Sequence, residues 1–169
     1  MDVFKKEMKI KIWTILIIIV LLIITGIFYL IKNSENIGVT GFVVGSTHDH
    51  ANFMVFINGE EINFALPQYI VKAKEVHIED MNGNVIHKHA TGITLGYFFK
   101  TLGFKFDENC FVFDNKKEYC NEGDKALKFY VNGERNYEYD KYEIRNLDKY
   151  LISYGNDSEE EIKKQLSSI

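Results

Sequence analysis

Five histidines are the residues of this chain best suited to do chemistry, and all fall between positions 48 and 89: His48, His50, His77, His87 and His89. Neutral imidazole is the commonest protein ligand for zinc and copper. Two of the five form the pair His48/His50, and two more form His87/His89. Residues i and i+2 of a strand project from one face, so either pair could chelate an ion. Glu79 follows His77 by two positions and could be a ligand or the carboxylate that orients one. The candidate metal set is therefore His48, His50, His77, His87, His89 and Glu79, with a copper or zinc ion as cofactor. Copper is slightly preferred, with Met54 and Met81 as further Cu(I) donors. The competing reading leaves the histidines in solvent or capping buried polar groups.

Cys110 and Cys120 are the only cysteines and bracket FVFDNKKEY. A turn at Asp114–Lys116 would set Phe113 against Lys117 and Cys110 directly against Cys120. Opposed strand residues are close enough for a disulfide after modest adjustment. Closing that loop would stabilise the fold by about 3 kcal/mol in the chain-entropy model. The alternative is a redox-active dithiol, which would make the chain a thiol–disulfide oxidoreductase or isomerase. Such pairs usually stand as Cys-x-x-Cys at a helix start, a spacing absent here. No nucleophile elbow, P-loop or dinucleotide fingerprint is present. Asp49, Glu79 and Asp80 could act as bases. HDHANF superficially resembles the His-x-His-x-Asp-His run of metallo-β-lactamase-like hydrolases. Asn52 and Phe53 stand where that run needs Asp and His, so a metal-dependent hydrolase is the weaker reading. A non-catalytic envelope interaction domain is a further alternative.

The histidine register can be read from apolar matching. Glu75–Glu79 and Val85–His89 alternate like strands around a loop containing Asn82-Gly83. If His77 pairs with His87, Val76, Ile78 and Ile86 share one face, and His77, Glu79, His87 and His89 share the other. A one-residue slip splits the apolar set. His48 and His50 join the cluster only if the first strand, around Phe53–Ile57, lies beside this hairpin.

Asn58-Gly59 and Asn132-Gly133 are strong hairpin signals. Glu61–Phe64, Lys128–Asn132 and Tyr150–Tyr154 read as further strands. Thr94 caps a helix whose stripe is Leu95, Phe98, Phe99 and Leu102, ended by Gly103. The expected fold class is α+β, a mixed or antiparallel sheet with one packed helix. Asp140–Asp148 reads as a surface crossover, and the tail from Asn156 as a solvated polar helix with Asp157 or Ser158 as cap. Tyr137, Tyr139 and Tyr142 are either half-buried or a partner surface.

Ile12–Ile31 carries no charge. At about 1.5 Å per residue it matches the bilayer's hydrocarbon thickness. Lys5, Lys6, Lys9 and Lys11 precede it, so the positive-inside rule places the N-terminus in the cytoplasm. The rival, a cleaved signal peptide, would have a shorter apolar run and a small-residue cleavage site. The expected organisation is a basic cytoplasmic segment (1–11), a transmembrane helix (12–31), a linker (32–47), an extracytoplasmic domain (48–155) and a C-terminal helix or tail (156–169). The lipid bilayer is then one partner and an envelope protein another. Net charge is −4. The excess of acidic residues lies beyond Lys32, which argues against nucleic acid.

Gly92-Ile93-Thr94-Leu95, then Phe98–Phe99 and Leu102-Gly103, resembles the helix entry of β-grasp domains. LKFYVNGE and DKYLISYG resemble the closing strands of the transcobalamin C-terminal-like β-grasp family, with Asp148 and Tyr154 in matching places. This resemblance implies a β-grasp-like domain over Gly92–Gly155. It carries no ligand role, because the His-rich half departs from that family. From HDHANFMVFINGEEINF through ISYGN the chain is similar to membrane-anchored archaeal proteins, some of them labelled thiol–disulfide isomerases.

Overall fold

Alternating apolar residues before Asn58-Gly59 build the longest strand, β1 (Asp49–Ile57), with Ala51, Phe53, Val55 and Ile57 buried. The computed structural model describes Trp13 and residues 15–27 and 41–169. Residues 15–27 form helix α1. No helix among the described residues is long and apolar enough to cross a membrane. The remainder of the expected span at 12–31 lies outside the described residues, as does the basic segment before it.

From Phe42 onward the chain is one compact unit. Asn58 and Gly59 have φ of 50° and 83°, the paired positive values of a type I′ hairpin, and lead into β2 (Glu60–Glu61). β2 is shorter than the expected Glu61–Phe64, because the chain turns inward to bury Phe64. β3 (Val76–His77) and β4 (Val85–Lys88) form the next hairpin. Positive φ falls on Asp80 and Met81 (53° and 55°), while Gly83 is required for closeness: an added Cβ would lie 2.7 Å from the Phe64 carbonyl carbon.

Helix α2 (Leu95–Thr101) starts where the Thr94 hydroxyl accepts a bond from the Tyr97 amide at 3.3 Å. Its stripe of Leu95, Phe98 and Phe99 is fully buried. β5 (Lys105–Phe106), β6 (Cys110–Val112) and β7 (Glu118–Cys120) make a small antiparallel sheet. β8 (Ala126–Val131) and β9 (Glu134–Arg135) follow, joined through Asn132-Gly133, and then β10 (Lys149–Gly155). The large sheet runs β3-β4-β1-β10-β8-β9, with β2 also paired to β1. β1 and β10 are parallel and their other partners antiparallel, so the sheet is mixed and the fold α+β.

Three expectations change. The tail helix, α3 (Glu159–Leu166), is not fully solvated. Ser158 and Glu161 form a reciprocal capping box, and Ile162 is buried with Leu151 outside the main core, so a second helix covers the reverse face of the sheet. The Asp140–Asp148 crossover is not a surface strap: it buries Tyr142 and Ile144. The Tyr142 and Tyr150 hydroxyls both donate to Asp148 Oδ2, at 2.8 and 3.2 Å. Third, Phe42–Thr47 lies against the domain. Phe42 packs on Tyr97 with ring centroids 4.9 Å apart, and the Gly45 amide donates to the His89 carbonyl at 2.6 Å. Tyr139 is buried as well, whereas Tyr137 is exposed.

Candidate metal centre

β3, β4 and β1 lie side by side, and their registers decide what the histidines can do. His77 is opposite His87, and His87 is opposite His50. Val76, Ile78, Ile86, Ala51 and Phe53 point into the core. Alternation therefore puts His77, His87 and His50 on the reverse face, with His89 and His48 just beyond on the same side. The apolar residues favour this arrangement, since a one-residue slip would bury imidazoles and expose isoleucines.

The five rings form a closed circuit. Centroids are 4.9 Å apart for His48–His50, 4.5 Å for His50–His87, 6.0 Å for His87–His77, 5.0 Å for His77–His89 and 4.8 Å for His89–His48. His48, His50 and His87 each offer a nitrogen within 4.8 Å of the other two, a group that could hold a metal ion. His48 and His50 are exposed, His87 and His89 half-buried, and His77 buried. The cluster thus runs from solvent inward, which gives an ion an entry path.

Glu79 spans the widest step of the circuit. Its Oε2 lies 3.2 Å from His77 Nε2 and its Oε1 lies 3.0 Å from His87 Nδ1. The His77 contact is a hydrogen bond. The His87 contact is out of line for one, and His87 Nδ1 is a buried nitrogen without a hydrogen-bond partner. The opposite nitrogen of His77 meets the Ala73 carbonyl at 2.9 Å. A carbonyl only accepts, so Nδ1 donates to it; Nε2 faces Glu79, and a hydrogen bond to that carboxylate takes a proton on Nε2 that a metal ion bound there would displace.

The electrostatics suit a cation. Hydrogen bonding from His77, reinforced by His87 and His89, holds the Glu79 carboxyl below its ordinary range. Burial lowers His87, and its histidine neighbours push the same way against Glu79. Burial and then His77 and His48 lower His89. Neutral imidazole is the form that binds metal.

Met54 takes no part in the circuit; its sulfur accepts from the Ser168 hydroxyl at 3.4 Å, near the end of α3. Met81 is exposed in the β3–β4 turn. Asp49, considered as a base, is committed elsewhere: Lys88 Nζ lies 2.9 Å from its Oδ2, and Thr47 donates to its Oδ1 at 2.8 Å. These bonds outweigh burial and keep its carboxyl below the ordinary value. Lys88 also donates to the Ile144 carbonyl at 2.5 Å. Sequence reasoning missed this pair, because lysine between two strand histidines reads as solvent-facing; its placement on the Ile86 face was the available signal. Cys110 and Cys120 form a disulfide in the small sheet, paired in register as the turn at Asp114 implies.

The fold and site together define an α+β domain with a histidine-lined candidate metal centre on one sheet face. No family model, curated protein or solved structure matches the chain.

Proposed function

We propose that this chain is a membrane-anchored, extracytoplasmic protein that binds copper or zinc through its histidine cluster and holds it for an envelope partner. The observation that carries the reading is the convergence of five imidazoles, from three adjacent strands, into one closed circuit. Random histidines on a sheet face would not also be backed by a carboxylate and an orienting carbonyl. Imidazoles without a cysteine ligand suit either Cu(II) or Zn(II). The disulfide supports an oxidising compartment, and that agrees with the lysines that precede the apolar Ile12–Ile31 segment. The parallel β1–β10 pair, flanked by antiparallel β4 and β8 with α2 on one face, supports a β-grasp-like reading of the domain.

Metal analysis of the purified full chain tests the function. Wild type is expected to retain copper or zinc through gel filtration, and His87→Ala/His89→Ala to lose at least one equivalent. Equal metal content in the two proteins rejects the assigned site.

A further inference from the structure

We propose that one ion is bound by three imidazoles, those of His48, His50 and His87, and keeps a fourth position open for an imidazole of the partner. This rests on the metal-binding reading above and deepens it by fixing the ligands and the way the ion leaves.

These three rings are the ones whose nitrogens gather. Each offers a nitrogen within 4.8 Å of the other two, and among the described residues no further imidazole or carboxylate joins the group. His48 and His50 are exposed, so their rings can turn inward to bond lengths of about 2.0–2.1 Å. A tetrahedral ion takes four ligands, which leaves one position unfilled by the chain. Two of its three ligands are exposed and the third is half-buried, so that position faces solvent.

His77 and Glu79 stand behind the site rather than in it. His77 is bonded at both nitrogens, through Nδ1 to the Ala73 carbonyl at 2.9 Å and through Nε2 to Glu79 Oε2 at 3.2 Å. Its ring stacks nearly parallel to that of His87, so the two do not converge on one ion. Glu79 Oε1 lies 3.0 Å from His87 Nδ1, a buried nitrogen without a hydrogen-bond partner. That edge of the ring faces the carboxylate, so Nε2 meets the ion. Coordination at Nε2 keeps the ring's proton on Nδ1, and a small rotation aligns it with Glu79. Glu79 is thus a positioning residue that fixes the tautomer and direction of His87, and His77 holds Glu79.

A water completes the resting ion. Free thiolates are scarce in an oxidising compartment, so the donor that replaces the water is an imidazole. One metal–oxygen bond breaks, one metal–nitrogen bond forms, water leaves, and no electron is transferred. The ion is then shared by both proteins before the exposed His48 and His50 let go.

Cu(II) is the probe, since nitrogen sites that hold zinc hold copper more tightly. Pulsed electron paramagnetic resonance counts the imidazoles on copper in the loaded full chain, before and after isotope-labelled imidazole is added. Three are expected at first, and a fourth, labelled, after the addition. His50→Ala should lower the first count to two or release the copper. Glu79→Ala should weaken copper binding by about 10–100-fold with the count still three. Glu79→Gln, which can still accept from Nδ1, should restore most of that affinity. Four imidazoles before any addition, falling to three in His89→Ala, overturn the open position and leave the proposed function standing. A count that added imidazole does not raise overturns it as well. Wild-type affinity in Glu79→Ala overturns the positioning role. No copper on the wild-type chain overturns both this inference and the function it rests on.

Discussion

Among single residues, His87 and His89 tie the site to pH. Burial lowers the pKa of both below the ordinary imidazole value of 6.5. Between the unfolded value and the lowered folded one, the unfolded chain binds more protons, so metal-free stability rises with pH across that window. Glu79, also lowered, acts in the same direction nearer its ordinary value of 4.5. Metal-free protein is therefore expected to hold its urea midpoint down to about pH 6.5 and lose stability below it, a slope that His87→Ala/His89→Ala should flatten. A midpoint that rises on acidification would contradict the burial of these rings. The Asp49–Lys88 pair beneath the site makes a separate prediction. Lys88→Met removes the cation from Asp49, whose side chain is only 20% exposed. The cost should be about 3 kcal/mol in chemical denaturation, mostly from the stranded carboxylate. Of the six candidate donors named from residue type and spacing, His48, His50 and His87 come together as a group that could hold an ion. The supporting Ala73 carbonyl was not readable, because backbone acceptors have no signature in side-chain pattern.

At the scale of elements, legibility followed how locally each one is specified. The β6–β7 hairpin is set by its own turn, and Cys110 opposes Cys120 as the spacing implied. The β3–β4 register followed from matching Val76 and Ile78 with Ile86. Which strand would lie beside β4 was not readable, since β1 meets it across an intervening loop and 3-10 turn. That one adjacency turns two separate His-x-His pairs into one cluster. In the β3–β4 turn glycine serves for a close approach to Phe64 rather than for a positive φ, a need that spans the sheet and has no local pattern. A structural staple gives a specific expectation for the small sheet. Cys110→Ser/Cys120→Ser should lower stability by about 3 kcal/mol and leave bound metal unchanged. If the pair instead serves thiol–disulfide exchange, the wild-type chain should reduce or reshuffle a test disulfide, and the double variant should not.

On the scale of the whole molecule, one aromatic core couples the sheet that carries the histidines to the sheet that carries the disulfide. Its composition was evident from the phenylalanine-rich sequence, but its junction was not, because no local pattern says which ring touches both sheets. Phe99 is that ring. From α2 it meets Phe53 of β1 at 6.0 Å, and it meets Phe106 and Phe111 of the small sheet at 5.4 and 5.2 Å. It is fully buried, so truncation leaves a cavity that neither sheet can close without moving against the other. Phe99→Ala should cost about 3–5 kcal/mol, read as a fall in urea midpoint with the slope unchanged. The candidate ligands come from β1, β3, β4 and the residues flanking them, none from α2, so the folded variant should bind as much metal as wild type. Added zinc should raise its midpoint as it does for wild type, because an ion that binds only the folded chain stabilises by mass action whatever the core contributes. A loss below about 1 kcal/mol would mean that the neighbouring rings close the cavity and that Phe99 is not what couples the two sheets.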